Sequence, residues 1–138
     1  MANPVLNPTM YARVTGIVLA LVALLGIAMS AFNNGAFVEG FLVFDWTHDI
    51  LHVVLAGAAL LAGFAAGGSY SRIYARVFGV VYTGLGIAGL VGWTGFGTTM
   101  LHLELGENLV HLLVGVWGLA AGFLGSTTTT SSPGPRNA

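Results

Sequence analysis

Four long apolar stretches dominate the chain, separated by three shorter connections that hold most of its charged residues. They run about Val14–Phe32, Ile50–Ala66, Val77–Trp93 and Leu109–Leu124, and none contains Lys, Arg, Asp, Glu or Pro. Each approaches the roughly 20 residues that a helix needs to cross a hydrocarbon core. A helix on the surface of a soluble domain keeps a polar face, and these stretches show none. The pattern predicts an all-α fold, an integral membrane four-helix bundle. Residues 1–125 are expected to form its single transmembrane domain. The tail, residues 126–138, is rich in Ser, Thr, Pro and Gly, and is expected to be disordered and cytoplasmic.

The order of residues repeats. Tyr11-Ala-Arg-Val-Thr-Gly-Ile-Val18 returns as Tyr74-Ala-Arg-Val-Phe-Gly-Val-Val81, an offset of 63. Thr47-His-Asp-Ile-Leu-His-Val-Val-Leu-Ala-Gly57 matches Gly106-Glu-Asn-Leu-Val-His-Leu-Leu-Val-Gly-Val116, an offset of 59. Such self-similarity predicts two copies of one two-helix unit, over about 11–67 and 74–125. The first stretch also has signal-peptide features, with Arg13 as a basic flank and Ala28-Met-Ser-Ala31 as a cleavage-like site. Its apolar run is too long for that, and its start recurs before the third stretch, so it is read as a retained helix.

Charge sets the orientation. Arg13 precedes the first stretch, Arg72 and Arg76 lie between the second and third, and Arg136 is in the tail. The positive-inside rule then places both termini and the middle connection in the cytoplasm. The acids Glu39, Asp45, Asp49, Glu104 and Glu107 all fall in or beside the two outer connections. Trp46 and Trp93 fit an outer aromatic belt, and Tyr11, Tyr70 and Tyr74 an inner one. Both units enter from the same side, so the repeats are parallel. The lipid bilayer is the expected surrounding, in the cytoplasmic (inner) membrane. With only 7% charged residues and a net charge of −1, the chain gives no reason to expect a nucleic acid partner. The absence of cysteine excludes disulfides, thiolate metal sites and thiol catalysis.

Candidate chemistry lies on the second and fourth stretches. Asp45, Asp49, His52, Ala56, Ala59 and Gly63 are spaced to share one helical face, and Glu104, Asn108, His111, Gly115, Gly118 and Gly122 repeat it. Small residues at this spacing let helices pack closely in lipid, and Gly118–Gly122 is a GxxxG pair. His48 stands one turn before His52, and Glu107 one turn before His111. Three imidazoles and a carboxylate could thus converge near the outer mouth, with Asp45, Asp49, Glu104, Asn108 and His102 close by. That donor set suits a transition metal, and paired imidazoles also suit haem. Against this, acids and amides in a first turn cap helices, and an inward His can bind helices together by hydrogen bonds. The glycines of the third stretch, Gly79, Gly84, Gly86, Gly89 and Gly92, are read as close packing rather than a gate. No charge sits mid-membrane, so a channel or transporter is a poor reading.

The two Tyr-Ala-Arg-Val starts and the segment Glu107-Asn-Leu-Val-His-Leu-Leu-Val-Gly-Val-Trp-Gly-Leu119 resemble a bacterial four-helix membrane family. It is known only as a domain of unknown function, the four-three-eight-three family. Its most specific element, Asn-x-x-His followed by Gly at His+4, matches Asn108, His111 and Gly115; the first copy departs with Asp49 and Ala56. The resemblance implies the architecture and a bacterial cytoplasmic membrane, and implies no activity. The expected function is therefore a non-enzymatic packing or assembly partner, in a homo-oligomer or a larger membrane complex. The alternative is a metal- or haem-binding membrane protein using His52, His111, His48 and Glu107.

Overall fold

The computed structural model describes residues 3–32, 36–38, 42–92 and 104–126. Four helices dominate these residues: α1 (Pro8–Phe32), α2 (Trp46–Phe64), α3 (Ser71–Leu90) and α4 (Leu105–Leu119), the last continued by a π turn over Ala120–Leu124. All four are long and apolar enough to cross a membrane, counting the turns that extend α2 to Gly68 and α4 to Leu124. Ala36–Val38 and Leu42–Val43, before α2, form a short antiparallel pair, β1 and β2.

Helix starts follow local signals. Asn7 accepts from Thr9 N (2.8 Å) and Met10 N (3.2 Å), and Pro8 opens α1. An Asn cap followed by Pro satisfies the free amides of a first turn. The helix therefore begins six residues before the apolar stretch does, and it carries Arg13 within its length. Asp45 caps α2 by accepting from His48 N (3.0 Å). Glu107 reaches back to Glu104 N (3.0 Å) at the start of α4. Between α2 and α3 the chain reverses through Ala66, Gly67 and Gly68, with φ of 47°, 66° and 81°. Glycine adopts this left-handed backbone without a Cβ penalty. Ser71 Oγ donates to Ala62 O (2.8 Å) and ties the turn to α2.

The helices pack as two hairpins, α1 with α2 and α3 with α4. Small residues bring the backbones close. A Cβ on Gly79 would lie 2.5 Å from Leu119 N and 2.8 Å from Gly118 C, and one on Gly63 would lie 3.0 Å from Arg13 N. Matched contacts close each hairpin. Arg13 Nε donates to Gly63 O (2.9 Å) while its guanidinium covers Phe64; Arg76 Nε donates to Gly122 O (2.8 Å) and covers Phe123. The offsets between these partners, 63 for the arginines and 59 for their targets, are those of the sequence match.

The hairpins meet at the Tyr11 end. Tyr11 is fully buried, 5.9 Å from the Tyr74 ring and 4.9 Å from Trp117, and its hydroxyl donates to Val114 O (3.2 Å). Ala12, Ala59, Ala62, Ala75 and Ala121 complete this core. Polarity is inverted relative to a water-soluble bundle: Leu61 and Leu113 are 68% and 73% exposed, while Asp49 is 0% exposed. Trp93, Glu39, His102 and the tail from residue 127 lie outside the described residues.

Candidate metal centre

Asp45 fixes the first turn of α2, and His48 and His52 follow it one turn apart. That spacing stacks side chains on one face, and their ring centroids lie 4.3 Å apart. From the other hairpin, α4 supplies His111, whose ring is 5.9 Å from that of His48. Each of the three imidazoles offers one nitrogen, and these atoms all lie within 4.8 Å of one another. The side chains are only 4%, 8% and 6% exposed for His48, His52 and His111. Among the described residues, the Nδ1 of each is buried without a hydrogen-bond partner. Buried polar groups in folded proteins are nearly always satisfied, because an unmet one costs about 1–3 kcal/mol. Three adjacent exceptions call for a common explanation.

A small cation would supply one if the imidazoles bind it through Nδ1. Zinc–imidazole bonds of about 2.0–2.1 Å hold tetrahedral nitrogens about 3.4 Å apart. Side-chain rotations that bring the imidazole nitrogens closer by up to about 1.4 Å would reach that geometry. Three imidazoles also leave a fourth position open, the arrangement of catalytic rather than structural zinc sites.

The other residues singled out by sequence are placed differently. Glu107 is buried beside the cluster, but its oxygens accept from Glu104 N (3.0 Å) and Val43 N (3.3 Å), and it is outside the three-nitrogen group. Asp49 turns into its own hairpin. Its Oδ2 accepts from Ser30 Oγ (2.7 Å), and its carboxylate occupies the space a Cβ on Gly26 would need. Asn108 does the same on the other side, against Gly89 of α3. Asp45 and Glu104 sit half-buried at the helix starts. Ala56, Ala59, Gly63, Gly115, Gly118 and Gly122 are all buried. Where a Cβ on these glycines would collide, the obstructing atoms belong to other helices of the same chain.

Tyr82 is the residue that sequence reasoning missed. Its ring meets His111 edge-on, with centroids 5.1 Å apart, and its hydroxyl has no hydrogen-bond partner among the described residues. The aromatic run Tyr74, Phe78, Tyr82, at intervals of four, was its signal in the sequence. His48, His52, His111 and Tyr82 together separate two crevices. One, of about 240 Å³, lies between α1 and α4; the other, of about 270 Å³, lies between α2 and α3. Exposed Val18 and Val110 border the first, and exposed Val77 and Val81 the second.

Comparison with protein-family models, curated proteins and solved structures gives no match. The functional reading therefore stands on the geometry.

Proposed function

We propose that this protein spans a membrane and binds one transition-metal ion, zinc or copper, through His48, His52 and His111. The observation that carries the reading is the trio of buried imidazoles, each with an unpartnered Nδ1, whose ligand nitrogens lie within 4.8 Å. Imidazole suits both metals, and no softer ligand is needed. A porphyrin is less well supported. It needs a flat gap between two axial nitrogens, and the His48 ring lies 4.3 Å from His52 and 5.9 Å from His111.

Membrane insertion is supported by four apolar helices and by the inverted polarity of their surface. The arginines favour an arrangement with both termini and the α2–α3 turn on the cytoplasmic side of the inner membrane. The matched hairpin contacts favour a duplicated two-helix unit. The Tyr-Ala-Arg-Val and Asn108–His111–Gly115 motifs favour membership of the four-three-eight-three family. The small-residue faces of α2 and α4 engage partners inside the chain. An assembly role would therefore have to use another surface.

The test is metal analysis of protein purified in mild detergent, reconstituted with zinc or copper and then freed of loosely held ions. One equivalent per chain is expected, and none in a His52→Ala/His111→Ala variant. Equal retention by both proteins, or no retention by the wild type, would sink the reading.

A further inference from the structure

The crevice between α1 and α4 reaches the histidine cluster from the flank of the bundle, not from its ends. Its α4 wall runs from Glu107 to Trp117, ten residues or about 15 Å. Its volume of about 240 Å³ is drawn out along that length, against an apolar lining that includes Val14, Val18, Val22, Leu25, Val110 and Val114. The crevice between α2 and α3 is shorter, spanning His48 to Leu55 on α2.

At the cluster, the longer crevice changes character. Tyr82, 4% exposed and lining both crevices, brings a hydroxyl donor without an acceptor among the described residues. A metal on the imidazoles would not satisfy it, since it would take ring nitrogens and leave the phenol alone. Among the described residues the crevice lining contains no Lys or Arg to pair an anionic head group, and it includes the Glu107 carboxylate. What fits is a chain with an uncharged head that presents an acceptor oxygen.

We infer that the α1/α4 crevice binds a neutral, membrane-dissolved molecule of the alkyl- or prenyl-quinone class, its carbonyl oxygen accepting from Tyr82 Oη beside the histidine cluster. The apolar chain would lie along Val14, Val18 and Val114. This inference goes beyond metal binding and does not require it. The unpartnered hydroxyl selects the carbonyl, and the elongated apolar lining selects the chain.

Trp117 lines the crevice and supplies the readout. In a Trp46→Phe/Trp93→Phe background, its fluorescence is titrated with a short-chain alkyl benzoquinone in detergent. Saturable quenching is expected. Tyr82→Phe should weaken it roughly five- to tenfold, the worth of one hydrogen bond. Val18→Phe, which fills this crevice, should abolish saturation, while Val81→Phe in the other crevice should not. An alkane or a fatty acid of equal chain length should compete poorly. Quenching that never saturates, indifference to Tyr82→Phe, equal effects of the two Val→Phe substitutions, or equal competition by the fatty acid would overturn the inference. Running the titration on metal-loaded and chelator-treated protein separates the two proposals. Quinone binding through Tyr82 without any retained metal would defeat the metal reading alone. Retained metal without saturable quenching would defeat this one alone.

Discussion

His48 on α2 and His111 on α4 bring their rings to 5.9 Å, although they belong to different hairpins and are 63 residues apart in sequence. Around them the two hairpins are separated by crevices on both flanks, so their contact is made largely by polar side chains at this level. A ligand bound there would clamp the hairpins together.

The first prediction follows from that clamp. Saturating metal at about 100 times its Kd should stabilise the fold by about 2.7 kcal/mol. Thermal unfolding in detergent, with and without zinc, measures it. The gain should shrink as pH falls, because protons compete with metal for the imidazole nitrogens. A metal-induced rise in Tm that is unchanged on acidification would contradict histidine ligation.

A second prediction separates ligand from packing glue. Replacing His52 with Leu removes an unpartnered buried polar atom, so the metal-free protein should be as stable as wild type or more so. The same change should abolish the metal-dependent rise in Tm. Clear destabilisation of the metal-free variant would instead assign His52 a structural hydrogen bond.

Glycine substitutions should divide by location. Gly79→Leu drives a side chain into the α4 backbone, where Leu119 N and Gly118 C cannot yield as a side-chain tip would. A loss of at least about 3 kcal/mol is expected, the upper end of ordinary overpacking. Gly118→Leu should behave similarly, because it meets Tyr11 Oη and Ala75 O. Gly84 faces open space, so Gly84→Ala should be neutral or stabilise by up to about 1 kcal/mol. Denaturation in mild detergent reads all three, without any need for an oligomer.

The two arginine contacts should prove equivalent and independent. Arg13→Ala and Arg76→Ala each remove a charged hydrogen bond to a backbone carbonyl and a guanidinium–Phe contact. Each loss should cost about 1–2 kcal/mol, with the larger value blunted by exposure. The double variant should show their sum within about 0.5 kcal/mol. A marked difference between the single variants would weaken the duplicated-unit reading.

Topology gives the last prediction. Tags at either terminus should resist external protease in intact cells, while a protease site inserted at residues 33–35 should be cut. Cleavage at the termini and protection at the insertion would reverse the orientation.

Much of this was legible in the sequence. Each apolar stretch coincides with most of a helix, and the Asn7-Pro8 signal explains why α1 starts before its stretch does. Asp45 and Glu107 sit at helix starts because a first turn leaves amides that only a side chain or water can satisfy. His52 and His111 could be marked as inward-facing from spacing alone, with His48 one turn before His52.

What spacing could not decide was which neighbour each inward side chain meets. Asp49 and His52 are three residues apart, which leaves them roughly 60° apart around the helix axis at about 100° per residue. That angle suffices to aim Asp49 at Gly26 and Ser30 within its hairpin, while His52 reaches the cluster between hairpins. Periodicity likewise groups Tyr82 with Tyr74 and Phe78 on one face, but its place beside His111 comes from the packing of α3 on α4. By itself the sequence determined the helices, their caps and their inward faces, because those depend on residues within a few turns. The tertiary structure alone decided that three imidazoles and one phenol share a wall between two crevices. That outcome depends on how two hairpins dock, and docking is set by side-chain shape across helices distant in the chain.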